Sequence, residues 1–250
     1  MSQHKNDTYG DIDARNEDDA GVQPPIPAAT VVLLRDLPDY DGVEVLMLKK
    51  NSKITFGGMW VFPGGKIDAE DADPSGDEEA TARRAAAREA EEEAALQLSP
   101  DDFVWFSHWT PPPGPQKRFA TWFFAADTAG HTQDVEIDQG EIKDYAWIQP
   151  GQALKDHAAG EIDLAPPTWV TLYQLSLFPT AAAMVKKFQH HDARIYQTRV
   201  AKTASGDRAA MWAGDAGYEP WDATLDGPRH RLVMAEGGFV FEHDASHYGP

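Results

Sequence analysis

The sequence contains no cysteine, which excludes disulfide bonds, zinc sites with cysteine ligands and a cysteine nucleophile. Basic residues are scarce, because 22 Lys and Arg stand against 41 Asp and Glu and leave a formal net charge of −19. This acidity argues against nucleic acid and anionic membranes as partners, since both are bound mainly through Lys and Arg. No apolar run is long enough to span a bilayer, and the polar first residues predict no secretory signal. A cytoplasmic protein is therefore expected.

Aromatic residues are plentiful, with eight Trp, eleven Phe and seven Tyr, and they suffice for a substantial core. Apolar and β-branched segments predict strands at residues 28–34, 43–48, 60–62, 103–109, 119–126 and 145–148. An Ala-rich stretch predicts a helix that runs through residue 88, and a second helix is expected from about Pro150. Mixed strands around one crossing helix favour an α/β fold of the α/β/α sandwich type.

Three regions are expected along the chain. Residues 1–27 are polar and acidic and predict a flexible arm, and residues 28–160 hold the mixed strands and the crossing helix. Residues 161–250 predict two helices, at 168–178 and 180–189, followed by short strands at 194–200, 209–213 and 230–241. This C-terminal extension is expected either to cap the core or to form a homodimer contact.

The most informative segment is the run Arg88-Glu89-Ala90-Glu91-Glu92-Glu93. On a helix, residues three and four apart share a face, so Glu89, Glu92 and Glu93 point the same way and Glu91 does not. Three carboxylates on one face repel one another unless a cation lies between them. Taken alone, the run is more often a solvated acidic helix, which is common in acidic proteins.

A strand and a glycine pair precede that helix. Trp60, Val61 and Phe62 predict a short buried strand that Pro63 ends. Gly64 and Gly65 then predict a turn that lets a ligand approach the backbone closely. The acidic segment 68–79 that follows is expected to be a solvated loop. The turn and the aligned carboxylates together indicate a metal site more strongly than either does alone.

Residues 65–96 resemble the signature box of the Nudix hydrolases, which reads glycine, five residues, glutamate, seven residues, then Arg-Glu-apolar-x-Glu-Glu-x-Gly-apolar. Arg88, Glu89, Glu92 and Glu93 match the most specific part of the box. The spacing departs from the family, because Gly65 and Arg88 lie 23 positions apart where the box has 14. The extra residues fall in the acidic segment, where Glu78 or Glu79 would stand in for the first glutamate of the box. Ala95 replaces the closing glycine and puts the helix C-cap in doubt.

Further segments are similar to one Nudix subgroup. Trp109-Thr110-Pro111-Pro112, residues 117–124 and residues 164–169 resemble segments of the peroxisomal coenzyme A diphosphatases and their bacterial relatives. The resemblance implies a hydrolase that cuts the diphosphate of a nucleoside diphosphate derivative, with coenzyme A or acyl-CoA favoured and ADP-ribose or a dinucleotide next. A Nudix-fold module that binds a nucleotide without turnover is the alternative, and a structural acidic protein with a chance box is a third.

The resemblance also implies roles for individual residues. A divalent ion, Mg²⁺ or Mn²⁺, would be held by Glu89, Glu92, Glu93 and the backbone carbonyl of Gly64. Glu92 or Glu93 would act as the base, and Arg88 would orient a neighbouring carboxylate. Three basic residues are candidate contacts to substrate phosphates, namely Lys50, Lys53 and Arg118. Two loop acids, Glu136 and Glu141, are candidates for an extra ligand or base, although solvated loop acids are the commoner case.

Other conspicuous residues have simpler explanations. His190 and His191 do not face the same way on a helix, so shared metal ligation is not expected. His108, Trp109, Trp122 and Phe124 lie at strand spacing and are expected to pack in the core. Arg229-His230-Arg231 is expected either to cap an acidic surface or to reach a substrate phosphate.

Overall fold

The structure is a computed structural model, and it describes residues 24–37, 42–52, 56–113, 117–129, 134–138, 140–244 and 248. Within those residues the strands are β1 (Ile26–Asp36), β2 (Val43–Lys50), β3 (Trp60–Val61), β4 (Gly64–Lys66), β5 (Val104–Thr110), β6 (Phe119–Asp127), β7 (Ile142–Ile148), β8 (Arg194–Gln197), β9 (Arg199–Lys202), β10 (Arg208–Met211), β11 (His230–Ala235) and β12 (Gly238–His243). The helices are α1 (Glu78–Ala94), α2 (Pro150–Ala158), α3 (Pro166–Leu175) and α4 (Ala181–Gln189).

The main sheet has eight strands and is mixed. Its principal order is β3-β2-β1-β6-β5-β8, with β4 also paired to β1 and β7 also paired to β2. The β1–β6 and β5–β8 pairs are parallel, and the other pairs are antiparallel. β1 is central and buried along most of its length, which accounts for its continuous apolar sequence.

Helices cover both faces of this sheet. Successive side chains of a strand point in opposite directions, so β1 contributes side chains to a core on each face. Val31 and Leu33 of β1 pack in the core cluster that contains the alanines of α1. Val32 and Leu34 point the other way, into a larger cluster that contains residues of α2, α3 and α4. The predicted α/β/α arrangement is confirmed.

Helix α1 begins and ends with defined caps. Asp77 is the N-cap, and its carboxylate accepts hydrogen bonds from the backbone N–H groups of Glu79 and Ala80. The face of the helix that carries small side chains packs against the sheet, and Ala82, Ala86 and Ala90 on it are fully buried. The helix then extends without a break to the acidic positions near its C-terminal end, so the sheet fixes where the carboxylates lie.

Ala95 takes the place that a glycine holds in many helix C-caps. It adopts the left-handed conformation, with φ 55° and ψ 29°, and its N–H donates to the carbonyl of Glu91. The following N–H, of Leu96, donates to the carbonyl of Ala90, and the Leu96 side chain is buried. The cap therefore forms in the alanine sequence despite the absent glycine.

The C-terminal part contributes to the main sheet and also forms a second one. β8 pairs in parallel with β5, and β9–β12 form a separate antiparallel sheet in the order β12-β11-β10-β9. Trp109 of β5 stacks on Tyr196 of β8 with ring centroids 3.6 Å apart and planes 2° from parallel. Within the described residues, none of the helices combines the length and apolarity that crossing a membrane requires.

The predicted strands and helices are present, some with longer and some with shorter bounds. The segment predicted as one strand at 194–200 is two strands, β8 in the main sheet and β9 in the second sheet. The segment at 230–241 is a hairpin of β11 and β12 rather than one strand. Most of the predicted arm lies outside the described residues, and β1 already begins at Ile26, inside the expected arm. The predicted glycine turn is wrong, because Gly64 and Gly65 lie in β4 and pair with Thr30 and Ala29 of β1.

Candidate active site

The glycine pair of β4 lies directly beneath the acidic face of α1. A Cβ atom on Gly65 would lie 2.3 Å from Glu89 Oε1, so the missing side chain makes room for the carboxylate. A Cβ on Gly64 would instead lie 2.5 Å from the backbone oxygen of Ala29. Glycine thus permits close approach at both positions, to a movable carboxylate at Gly65 and to the backbone of β1 at Gly64.

Glu93 is the most buried carboxylate of the group, with 3% of its surface exposed. Its Oε2 accepts a hydrogen bond of 3.0 Å from the Gly64 N–H, and its Oε1 accepts one from Lys50 Nζ. Burial raises the pKa of Glu93, and the Lys50 ammonium and the Gly64 N–H oppose that rise. Both oxygens of Glu93 are therefore held by groups from β2 and β4.

Arg88 connects the other two carboxylates to the segment before the helix. Its Nη1 donates to Glu89 Oε1 at 2.9 Å and to Glu92 Oε2 at 3.1 Å. Its Nε and Nη2 donate to the two oxygens of Asp71, both at 2.9 Å, and Nη2 also donates to the carbonyl of Lys66. Arg88 thus contacts both Glu89 and Glu92 through one nitrogen, and its role in orienting them stays a prediction.

Asp71 is a site residue that the sequence did not reveal. It lies in a short 3₁₀ turn, Ala69–Asp71, and only 4% of its surface is exposed. Burial acts to raise the pKa of Asp71, but hydrogen bonds from Arg88 and from the Asp68 N–H outweigh burial and hold it below the ordinary value. The expectation of a solvated loop is therefore wrong at Asp71. The spacing Asp68-x-x-Asp71, which suits a short capped turn, was the available signal.

The pKa of Glu89 is shifted in the opposite direction to that of Asp71, above its ordinary value. Burial raises its pKa, the adjacent Arg88 lowers it, and the negative charges of Glu93 and Glu92 raise it again. Glu92, by comparison, has 58% of its side chain exposed. The site thus holds one buried carboxylate, Glu93, and one partly buried carboxylate, Glu89, and positive charge stabilises both.

A family model described as the NUDIX domain matches residues 24–167, more than half of the chain. The chain belongs to the Nudix family. The match spans β1–β7, α1 and α2 and ends as α3 begins, so α4 and β8–β12 lie beyond it.

Three solved structures of Nudix proteins are similar to this chain, and the first of them supports the fold. A Nudix hydrolase from Alicyclobacillus acidocaldarius is 21% identical, covers 66% of this chain and 96% of its own, and superimposes with a TM-score of 0.57. The Nudix domain of Shewanella oneidensis NrtR, complexed with ADP ribose, is 20% identical over 58% of this chain and 90% of its own, with a TM-score of 0.42. A bifunctional NMN adenylyltransferase/ADP ribose pyrophosphatase from Francisella tularensis, complexed with AMP and a manganese ion, is 20% identical over 55% of this chain and 37% of its own, with a TM-score of 0.40.

The donor atoms at the Nudix box suit a hard divalent cation, because they are all oxygen. Glu89 lies in the space that Gly65 leaves free, and Glu93 lies at the Gly64 end of the same strand. In the part of the chain that the structure describes, however, no three acidic or histidine side chains are already grouped around one point that would hold a metal. Arg88 and Lys50 hold the carboxylate oxygens instead, so a cation would have to compete with them.

The other predicted site residues are placed differently. Glu141 lies at the edge of the site, 3.7 Å from Lys50 Nζ, whereas Glu136 is exposed and its N–H donates to the carbonyl of Ala94. Glu79 forms an ion pair with Arg83, and Glu78 is exposed in the first turn of α1. The acid from this segment that contacts Arg88 is Asp71, not Glu78 or Glu79.

The predicted phosphate contacts are only partly described. The ammonium of Lys50 donates a hydrogen bond to Glu93 Oε1. Arg118 donates to the carbonyl of Pro111 at 3.2 Å, and burial lowers its pKa. Lys53 lies outside the described residues.

The remaining conspicuous residues serve the fold. His190 and His191 are exposed just after α4, and each ring Nδ1 contacts a carbonyl of that helix, of Lys186 and Lys187. Trp109 and Phe124 are buried, and His108 packs edge-on against Trp122, as expected.

Arg231 neither caps an acidic surface nor reaches towards a substrate phosphate, the two roles expected for the Arg229–Arg231 segment. Its side chain is buried and forms a two-point ion pair with the buried Asp215, and it also donates to the carbonyl of Ala223. It therefore organises the interior of the C-terminal part rather than a surface.

Proposed function

We propose that the protein is a divalent-metal-dependent Nudix hydrolase that cleaves the diphosphate linkage of a nucleoside diphosphate derivative. The observation that carries the proposal is the meeting of two α1 carboxylates, the buried Glu93 and the partly buried Glu89, with the glycine strand β4. Removing two neighbouring carboxylates from water, even in part, is unfavourable unless positive charge accompanies them. A site that maintains this arrangement is suited to cation binding.

The proposed roles follow from the contacts. Glu89, Glu92, Glu93 and the carbonyl of Gly64 would hold Mg²⁺ or Mn²⁺, which supplies positive charge to stabilise the negative charge that develops on the phosphoryl oxygens. Arg88 keeps Glu89 and Glu92 oriented through one nitrogen while two others hold Asp71. The positioning of the ligands therefore depends on the inserted 3₁₀ turn.

Glu93 is the better placed of the two proposed bases. It is buried, and burial raises its pKa towards the range in which a carboxylate accepts a proton effectively. In the proposed reaction a water oxygen forms a bond to one phosphorus, the bridging P–O bond breaks, and the water proton passes to the base. Two phosphorylated products leave. Lys53 and Arg118 remain the proposed cations for the substrate phosphates, whereas the ammonium of Lys50 contacts Glu93 instead.

The substrate proposal rests on the aromatic and proline-rich segments around β5 and β6 and before α3. They resemble a coenzyme A diphosphatase subgroup, so coenzyme A or acyl-CoA is favoured, with ADP-ribose or a dinucleotide next. A net charge of −19 disfavours a polyanionic substrate in general, which makes the local cations and a bound metal necessary for its binding.

A nucleotide-binding module without turnover is the second candidate. The observation that favours it is the engagement of Glu93 by Lys50 and of Glu89 and Glu92 by Arg88. If these ion pairs persist in the presence of metal, the carboxylates are not free to act. Retention of all three glutamates favours the enzyme, because binding alone does not need them.

The test is product release from coenzyme A, acyl-CoA, ADP-ribose and dinucleotides with Mg²⁺ or Mn²⁺. Glu93→Gln should lower kcat by about 100-fold or more, the usual contribution of a general base. Glu91→Gln is the matched control, since Glu91 lies on the same helix and is exposed, with Gln97 as its partner. Tight binding of a substrate without turnover at any metal concentration would instead identify the binding module.

A further inference from the structure

Lys50 and Glu93 form a buried contact that has consequences for metal binding. Only 11% of the Lys50 side chain and 5% of the Glu93 side chain are exposed. Because Gly64 holds Oε2 of Glu93, Lys50 occupies the oxygen that remains, Oε1. A divalent cation that binds Glu93 through Oε1 competes with the lysine ammonium, since two positive charges at one oxygen repel each other.

A second carboxylate lies within reach of the same ammonium. Glu141 Oε2 is 3.7 Å from Lys50 Nζ, and 63% of the Glu141 side chain is exposed. The backbone there is tied to the end of β2, because the Asn51 N–H donates to the carbonyl of Glu141 and Lys50 pairs with Ile142. Glu141 therefore offers a nearby position for a displaced ammonium.

We propose that Lys50 is a positioning residue that takes the place of the cation at Glu93 and transfers to Glu141 when a divalent ion binds. The inference rests on the proposed metal-dependent function and adds a step to it. Each group keeps a partner of opposite charge, because Glu93 exchanges the ammonium for the divalent ion and Lys50 keeps the Glu141 carboxylate. The site as a whole gains the two positive charges of the ion. Lysine suits the role, since its ammonium sits on a flexible stem and makes no fixed two-point contact.

The consequence is that Lys50 competes with the metal. Removing its charge should tighten metal binding, although it also removes a favourable partner of Glu93. If Lys50 had only a structural role, removing its charge would weaken metal binding, because Glu93 would lose its partner and become disordered. The two roles therefore differ in the sign of the effect on metal affinity.

The experiment measures Mn²⁺ binding to the full chain by electron paramagnetic resonance, without substrate. Lys50→Gln keeps a hydrogen-bond donor for Glu93, and Lys50→Met removes it, so the pair guards against a variant that fails to fold. Both should bind Mn²⁺ about tenfold more tightly, the factor expected when a charge-assisted hydrogen bond no longer competes. Lys50→Arg should bind no more tightly than the wild type.

Lys143→Met is the matched control, because Lys143 is exposed on β7 close in sequence to Glu141 and its loss changes the net charge equally. Its Mn²⁺ affinity should stay near that of the wild type. Equal or weaker binding by both neutral Lys50 variants would overturn the inference while leaving the metal-dependent function intact. If neither the wild type nor these variants binds Mn²⁺, both the inference about Lys50 and the proposed metal-dependent function are wrong.

The transfer to Glu141 is tested by a double-mutant cycle. Glu141→Gln should weaken Mn²⁺ binding about threefold in the wild type, the scale of an exposed ion pair, because the displaced lysine loses its acceptor. In the Lys50→Gln background the same change should have no effect. An equal effect in both backgrounds would show that Glu141 acts directly on the metal and would overturn the transfer.

Discussion

Arg88 and Asp71 form a two-point ion pair, in which Nε and Nη2 of the arginine each lie 2.9 Å from an oxygen of the aspartate. The arginine belongs to the Nudix box helix, and the aspartate belongs to the segment that makes this box longer than the family pattern. The extra residues are therefore built into the site. They supply the buried anion that leaves a third nitrogen of Arg88 free to orient Glu89 and Glu92.

Asp71→Asn should destabilise the protein by about 2 kcal/mol at neutral pH, because it removes the buried charged partner of Nε and Nη2 of Arg88 and leaves only Nη1 hydrogen-bonded to carboxylates. The pKa of Asp71 is lowered in the folded state, so its contribution is present above the ordinary value of 3.8 and is lost as pH falls through the folded pKa. Urea unfolding of both proteins from pH 7 down to pH 3 measures this. The difference should stay constant to about pH 4 and shrink only below it.

Glu70→Gln is the control for that series, since Glu70 is an exposed carboxylate in the same turn. It should unfold like the wild type at every pH. A difference between Asp71→Asn and the wild type that shrinks well above pH 4 would contradict the assignment of a lowered pKa to Asp71.

Much of the fold could be predicted because its signals are local. The apolar run at 28–34 identified the central strand, and the alanine spacing before Arg88 identified the helix that crosses it. The bounds of α4 were predicted to within one residue because Pro179 marks its start, and in the structure Thr180 is the N-cap, accepting from the Ala183 N–H.

The errors arose where distant segments decide the conformation. Gly64 and Gly65 look like a turn in isolation, but pairing with β1 holds them extended. Asp71 and Arg231 look like surface charges in an acidic protein, and each is buried because a partner far along the chain, Arg88 or Asp215, satisfies it. Spacing along the sequence carries no information about such pairs.

The two glycines of β4 should respond differently to alanine. Gly64→Ala should destabilise the protein by about 3 kcal/mol, because its Cβ would meet the backbone of β1, which cannot move aside cheaply. Gly65→Ala should cost less than about 1 kcal/mol, since its Cβ meets the flexible end of Glu89. The displaced carboxylate should nevertheless lower turnover at least tenfold.

Thermal unfolding and steady-state kinetics on both variants separate these effects. Gly151→Ala is the control, because a Cβ there meets nothing within 4 Å. If Gly65→Ala retained full activity, the position of Glu89 above that glycine would not matter for function.

His230 should make the protein sensitive to mild acid. Burial lowers its pKa from 6.5 to about 4, and its Nδ1–H donates to the carbonyl of Ala213 while Nε2 accepts from the Tyr248 hydroxyl. The folded state therefore binds a proton less readily than the unfolded state between these pH values. The stability that neutral His230 contributes is complete above about pH 6.5 and is lost as pH falls towards 4.

His230→Gln keeps hydrogen-bonding groups but cannot titrate, so it should lose less stability than the wild type between pH 7 and pH 4.5. The difference should reach about 2 kcal/mol, somewhat less than the full shift implies. Urea unfolding at several pH values measures it, with His191→Gln as the exposed control. Parallel pH profiles for the wild type and His230→Gln would show that His230 is not the group responsible.

A chain truncated after residue 160 should not fold, although the predicted catalytic residues all precede that point. β8 completes the main sheet beside β5, and Phe106 of β5 stacks on Phe188 of α4 at 4.5 Å. Trp109 likewise loses Tyr196, its stacking partner. Truncation would expose these aromatic side chains and the edge of β5, and exposed apolar edges of this kind promote aggregation.

Circular dichroism and size-exclusion chromatography of the chain 1–160 provide the measurement. A second chain, 1–244, is the control, because it retains β8–β12 and loses only the segment that contains Tyr248. It should fold with reduced stability, since Tyr248 is buried against Tyr196 and His230. A monomeric, cooperatively unfolding 1–160 chain would show instead that the Nudix core is an independent unit and that the C-terminal part is dispensable for folding.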